Sequence, residues 1–275
     1  MEWLVFALSA YLSYSISTSI DKHVMKQQSD PIKTNAWKML FDGTILLIIG
    51  LLFFDIHFDF NLLFWGLVVG FIYAANGISY FSALETKNVN VVIPINQSSI
   101  ILVFLFGMLF LGEEVTAVDA VAVTVIFLGA YGILSNKRWE LPKLDRGLVL
   151  LFWMVFFASL WAVVTKFALA ETGAIELAIT MYFFSSLFTF AYTPFHNGNG
   201  GIKLPKIAFS AFFGSVGTLL LYLALAVENA SRVYPVSGIQ SVFILLISTI
   251  FLREKLTWNT AAGTMLVVLG IYLLA

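Results

Sequence analysis

Residues 110–116 read FLGEEVT and residues 251–257 read FLREKLT. The two stretches stand 141 positions apart (254 − 113), and the same offset runs outward from them. Asn88 falls on Asn229, Pro94 on Pro235, Leu128-Gly129 on Leu269-Gly270, and Tyr131 on Tyr272. Upstream, Ala83-Leu84 meets Ala224-Leu225. Earlier still, a slightly longer offset puts Ser15 on Ser159 and Lys22 on Lys166. Shared Pro, Glu, Thr and Gly at one fixed spacing argue for an internal repeat rather than chance matches between Leu-rich segments.

The segments between these marks are apolar. The chain is 60% hydrophobic and only 11% charged, whereas a soluble domain is near half apolar and a quarter charged. Lipid is the solvent that fits this composition, and the 27 Phe and 7 Trp suit lipid-facing and interfacial positions. A helix needs about 20 apolar residues to cross about 30 Å of hydrocarbon. Ten runs meet that need: Trp3–Ile20, Ala36–Phe54, Leu62–Leu84, Val89–Leu111, Thr116–Leu134, Gly147–Ala170, Ile175–Pro194, Ile207–Val227, Ala230–Leu252 and Trp258–Ala275. The first lacks the basic flank and cleavage site of a signal peptide, and is read as a mature span. Short alternating strands would mark a β-barrel instead. The expected fold is therefore an all-α integral membrane protein with ten transmembrane helices.

The repeat divides the chain into residues 1–134 and 147–275, with the polar linker 135–146 between them. Five spans per half is an odd number. The second half must then enter the membrane in the opposite orientation, giving an inverted repeat of the kind many secondary transporters use.

Other chemistry is restricted by what the chain lacks. It contains no Cys, which excludes disulfides and thiolate metal sites. His23, His57 and His196 lie outside the apolar runs and far apart, so no metal site is expected. No basic cluster is long enough to suggest nucleic acid, and no cofactor is expected.

Tandem five-span halves, each with its last two spans joined by Gly-Glu-Glu-Val-Thr (112–116) or Arg-Glu-Lys-Leu-Thr (253–257), resemble the EamA family of the drug/metabolite transporter superfamily. The Pro-bearing fourth and ninth spans fit that family too. The resemblance covers essentially the whole chain. It implies a central cavity between the halves and transport of metabolites such as amino acids. It also implies a multi-pass protein of the plasma or inner membrane, with small organic solutes, lipid and protons as partners, and cytoplasmic termini. The charges point the other way on the last item. Loops after odd-numbered spans carry most of the Lys and Arg, among them Lys26, Lys33, Lys143 and Lys203, and by the positive-inside rule both termini are then external.

Three groups of residues are candidates for the transport site. Pro94 and Pro235 each remove a backbone donor inside an apolar run, and Asn96, Gln97, Tyr234 and Ser237 lie beside them. Matched broken spans mark transport sites, although they also serve as plain kinks. Lys38 and Asp42 lie four apart on the second span and share a helix face. Asp42 reads as the one carboxylate clearly inside a span, away from its ends, and as the proton-coupling candidate, the alternative being a self-neutralised Lys38–Asp42 pair that anchors the helix. Tyr14, Ser17 and Asp21 at helical spacing on span one, Tyr73, Asn76 and Tyr80 on span three, and Trp161 and Thr165 on span six, the repeat partners of Ser17 and Asp21, complete a polar-aromatic lining that suits a partly apolar solute with an amine or a carboxylate.

The function expected is a secondary transporter of small organic metabolites by alternating access. The alternatives are an uncoupled facilitator, an intramembrane enzyme, which would need clustered acid–base groups or an activated nucleophile, and a structural membrane subunit.

Overall fold

The computed structural model describes residues 2–25, 29–86, 95, 96, 98–134, 146–196, 200–252 and 258–274. The helices are α1 (Glu2–Met25), α2 (Pro31–Phe53), α3 (Phe60–Thr86), α4 (Ser99–Phe110), α5 (Ala117–Leu134), α6 (Arg146–Leu169), α7 (Ala174–Tyr192) and α8 (Leu204–Val227). The next, α9, is broken: Ala230–Val233, a 3-10 segment over Tyr234–Gly238, then Ile239–Leu252. The last is α10 (Trp258–Leu274). Among the described residues seven helices are long and apolar enough to cross a membrane, and three shorter apolar helices accompany them. Pro94, Gln97, most of the 135–146 linker and the Arg-Glu-Lys-Leu-Thr motif lie outside the described residues.

The ends of the helices follow from local chemistry. Asp30 caps α2 by accepting from Lys33 N–H at 3.0 Å, with Pro31 in the first turn, where its missing N–H costs nothing. Asp59 Oδ1 accepts from Leu62 N–H at 2.7 Å at the start of α3. Thr116 and Asp119 form a reciprocal capping box: Asp119 N–H donates to Thr116 Oγ1 and Thr116 N–H donates to Asp119 Oδ2. Gly112, at φ 64°, takes the left-handed turn that ends α4.

Several boundaries differ from the sequence expectation; α2, for one, begins at Pro31 rather than Ala36. Helix α1 continues past Ile20 to Met25, because backbone hydrogen bonding does not require apolar side chains, and so Asp21 lies inside a helix. The ninth span breaks at Pro235, one of the two prolines that the sequence places inside an apolar run: it cannot donate, and the chain there tightens into the 3-10 segment.

The helices pack in exchanged pairs. Helix α1 packs on α8 and α3 on α6, α2 packs on α8 and α3 on α7, α4 packs on α6 and α1 on α9, while α2–α7 and α5–α10 each pair a helix with its repeat counterpart. Small residues let these backbones approach closely. A Cβ on Gly129 of α5 would stand 2.7 Å from Gly263 O and 2.8 Å from Val267 N of α10, and one on Gly270 of α10 would stand 2.9 Å from Ala122 O of α5. The contact is reciprocal, since Gly129 corresponds to Gly270 and Ala122 to Gly263 at the 141-residue offset. Numbers rise along α5 as they fall along α10, so the two helices run antiparallel. Gly70 plays a similar part between α3 and α7, 2.9 Å from Met181 O by the same construction, and Ser185 Oγ donates to Gly70 O at 2.7 Å.

The reciprocal contact predicts equal penalties. Gly129→Ala and Gly270→Ala should each destabilise the purified protein by about 1–3 kcal/mol, because the added methyl meets backbone that cannot step aside. Val121→Ala, on an exposed position of α5, should stay within about 0.5 kcal/mol. Unfolding monitored by circular dichroism reads all three; neutral glycine substitutions would contradict the contact.

Candidate functional site

Three helices turn polar faces toward one region. On α2, Asn35, Lys38 and Asp42 follow at i, i+3 and i+7, and on α3 Tyr73, Asn76 and Tyr80 do the same, so each set shares a face. On α1 the face is Tyr11, Tyr14, Thr18 and Asp21. The break in α9 adds Tyr234 and Ser237, three apart in the 3-10 segment, and Gln240 follows at the start of the next helical stretch.

These faces enclose two adjoining chambers of about 200 Å³ each. The polar chamber takes Thr18, Asp21, Asn35, Lys38, Asp42, Tyr80 and Gln240 among its walls. The aromatic chamber takes Tyr11, Tyr14, Trp161, Tyr234 and Ser237. Tyr73, Asn76, Asn96 and Gln240 line both. Trp161 stands at the centre of the rings, 5.1 Å from Tyr73 and 6.0 Å from Tyr234 between centroids. Residues of both halves therefore contribute to the same walls.

The charges are arranged differently from the sequence expectation. Lys38 does not pair with Asp42 along α2. Its ammonium reaches across to α1, forming a salt bridge with Asp21 and donating to Ser17 Oγ at 2.8 Å. Ser210 of α8 also donates to Asp21. Among the described residues that line the polar chamber, Asp42 is consequently not the sole carboxylate, since Asp21 is a second. Asp42 is 2% exposed, and its Oδ1 has no hydrogen-bond partner among the described residues. Gly214 of α8 makes room for it; a Cβ there would stand 2.7 Å from Asp42 Oδ1.

The remaining candidates divide. Tyr14, Lys38, Asn76, Tyr80, Asn96, Trp161, Tyr234, Ser237 and Asp42 line the chambers. Ser17 sits behind Lys38 as its acceptor and also bonds Ser210 at 2.9 Å. Pro235 is buried in the 3-10 segment, while Pro94 and Gln97 are outside the described residues. Tyr14 bonds Thr218 at 2.7 Å, and Asn76 donates to Met154 O at 2.8 Å, so both also tie helices together. Asp21, Asn35, Tyr11, Tyr73, Thr18 and Gln240 line the chambers as well. The i, i+3, i+7 spacing from Lys38 and Asp42 already points to Asn35. Among the described residues no three His, Asp or Glu side chains gather as a metal site requires.

The pattern of the EamA-like transporter family matches residues 1–135 and 145–275. This chain belongs to the EamA-like transporter family. A protein of Archaeoglobus fulgidus named an uncharacterized transporter is 26% identical over 284 residues, covering 99% of this chain and 98% of the relative. A second from the same organism, with the same name, is 23% identical over 199 residues, covering 72% and 70%. A solved structure titled only as the crystal structure of a protein superposes with a TM-score of 0.83 over 99% of this chain and 96% of that one, at 14% identity. That likeness concerns the fold. The EamA-like chain is a multi-pass membrane protein of a transporter family.

Away from the polar chamber, the opposite end of this EamA-like bundle is tied by polar contacts. Glu113, in the α4–α5 loop, accepts from the backbone N–H groups of Ala230 at 2.7 Å and Ser231 at 2.9 Å, capping the first turn of α9. Arg232 Nε lies 3.3 Å from Asp119 Oδ1. Lys166 donates to Leu225 O and Glu228 O, closing the end of α8. Glu171, in the α6–α7 loop, accepts from the Trp65 indole at 2.9 Å and the Asn61 amide at 3.1 Å. Those two donors hold its carboxyl below the usual glutamate range.

Replacing Glu113 with Ala should strip the cap from α9. The expected cost is about 1–2 kcal/mol, and hydrogen exchange at Ala230 and Ser231 should accelerate while the amides of mid-α3 stay unchanged. Unaltered exchange at both positions would show that the cap does not hold α9.

Proposed function

We propose that this chain is a secondary transporter that moves small organic metabolites, amino acids or related solutes, across the cell membrane by alternating access. The observation that carries the reading is the pair of adjoining chambers walled by both halves, polar at one end and aromatic at the other. Concave sites with apolar walls and a few convergent polar groups are the usual form of small-molecule sites. The break in α9 lies at the aromatic chamber, as expected of a transporter built from discontinuous helices.

In this reading residues 1–134 and 147–275 are two five-helix repeats of opposite orientation, joined by 135–146. The antiparallel, reciprocal packing of α5 on α10 supports it. The ties through Glu113, Arg232 and Glu171 form the closed face, and the polar chamber looks toward the other. Rocking one half against the other exchanges the faces, and the ties must break as it does so. Asp42, buried and with one oxygen unpartnered, is the group that couples movement to a proton.

Purified protein in liposomes, supplied with amino acids, amines and other metabolites, tests the proposal. Uptake of at least one solute should appear and should quicken under a pH gradient. A correctly folded Asp42→Asn variant should lose the gradient-driven component. Counterflow indifferent to the gradient in the unaltered protein would make it a facilitator, and no flux across a broad panel would refute transport.

A further inference from the structure

We infer that the two chambers take an organic amine, an ammonium group on an aromatic or apolar body, and that Asp42 is its counter-ion. The inference rests on the chambers being the transport site and adds the chemical class of the solute.

The described chamber walls carry one more carboxylate than cation. Among the described residues lining either chamber, the charged groups are Asp21, Lys38 and Asp42. Lys38 is committed to Asp21 and Ser17, and Asp21 is further held by Ser210. This pair is neutral. Asp42 remains, 2% exposed, with Oδ1 lacking a partner. The charge the walls lack is therefore positive. A carboxylate ligand would have to draw Lys38 away from Asp21 and leave that carboxylate unpaired, and breaking a buried pair in this way is strongly unfavourable. An ammonium instead completes the balance and brings three donors.

The neutral groups agree. Asn76 spends an amide hydrogen on Met154 O, and Gln240 spends one on Thr18 Oγ1. Asn35 Nδ2 is buried without a partner; as a neutral donor it suits a hydroxyl or ether oxygen but cannot balance a carboxylate's charge. From the polar chamber the ligand's body passes Tyr73, which lines both chambers, toward Tyr14, Trp161 and Tyr234. Ring faces accept apolar groups and also favour a nearby cation. Chambers of about 200 Å³ each restrict the ligand to a small solute.

Three ligands that share a body and differ in charge test this: phenethylamine, phenylalanine and phenylpropionate, titrated by calorimetry into the full chain in lipid nanodiscs. Phenethylamine should bind tighter than phenylalanine by roughly ten- to a hundredfold, the worth of one charge-assisted contact, and phenylpropionate should not saturate. Asp42→Asn should erase the amine preference. The wild-type comparison stands without the variant should Asp42→Asn fail to fold. Tighter binding of phenylalanine or phenylpropionate, or an amine preference that survives Asp42→Asn, overturns the inference. Flux in the same preparation separates the two readings. Amine binding with no flux of any solute supports the inference and refutes transport. Flux of zwitterions with amines inert overturns the inference and leaves transport standing.

Discussion

Hydrocarbon offers a polar side chain no partner, and this constraint organises the interior of the bundle. Each charged or hydroxylated group within a span must seek its complement inside the protein, on another helix or, as Thr44 and Thr124 do, on the carbonyl four residues earlier in its own helix. The chain of contacts through Lys38, Asp21, Ser17 and Ser210 does this for α1, α2 and α8 together. It fixes the position of α1 against α8 and of α2 against both, which places the Asn35–Lys38–Asp42 face where the chambers form. The hydroxyl of Thr218 serves Tyr14 and Tyr182 at once, binding α8 to α1 and α7. The site and the scaffold are in this sense one network, and among the described chamber residues Asp42 is the carboxylate without a cation of its own.

Close backbone approach is the second device. Lipid does not drive apolar helices together as water does, so association depends on packing and hydrogen bonding. The reciprocal Gly129–Gly263 and Gly270–Ala122 contacts answer that need for α5 and α10. They also exchange under the 141-residue offset, each contact becoming the other. The ties at one end of the bundle are less even. Arg232 and Asp119 form an ion pair, but the residues at the repeat offset are Val91 and Thr260, neither of which carries a charge. The two ends thus differ in charge chemistry even where the helices correspond.

Much of the fold was legible in the sequence because long apolar runs and a fixed repeat are strong signals. The shared Gly129 and Gly270 were visible as repeat marks, although their meeting across α5 and α10 was not. The site was read less completely. Asp21 was legible as a continuation of the helical spacing of Tyr14 and Ser17, but hydropathy ends the first span at Ile20, so its pairing within the bundle was not. Spacing alone favours Lys38 with Asp42, since both lie on one face. The pairing with Asp21 comes from the packing of α1 against α2, which no local pattern encodes. Glu113 was visible as a repeat mark, but its targets at Ala230 and Ser231 lie in the other half of the chain. Pro235 did mark a broken helix, because the cause is local: one missing donor.

The central claim is that both halves wall one hydrated cavity. The absence of native Cys makes this directly testable. Single cysteines at Asn76 and Ser237, one from each half, should react with a membrane-impermeant thiol reagent in sealed vesicles. Cysteines at Phe71 and Leu246, whose side chains are 55% and 47% exposed on the outer surface of the bundle, should be shielded by lipid. Inert cysteines at both chamber positions, with the reagent applied from either side of the membrane, would contradict the account.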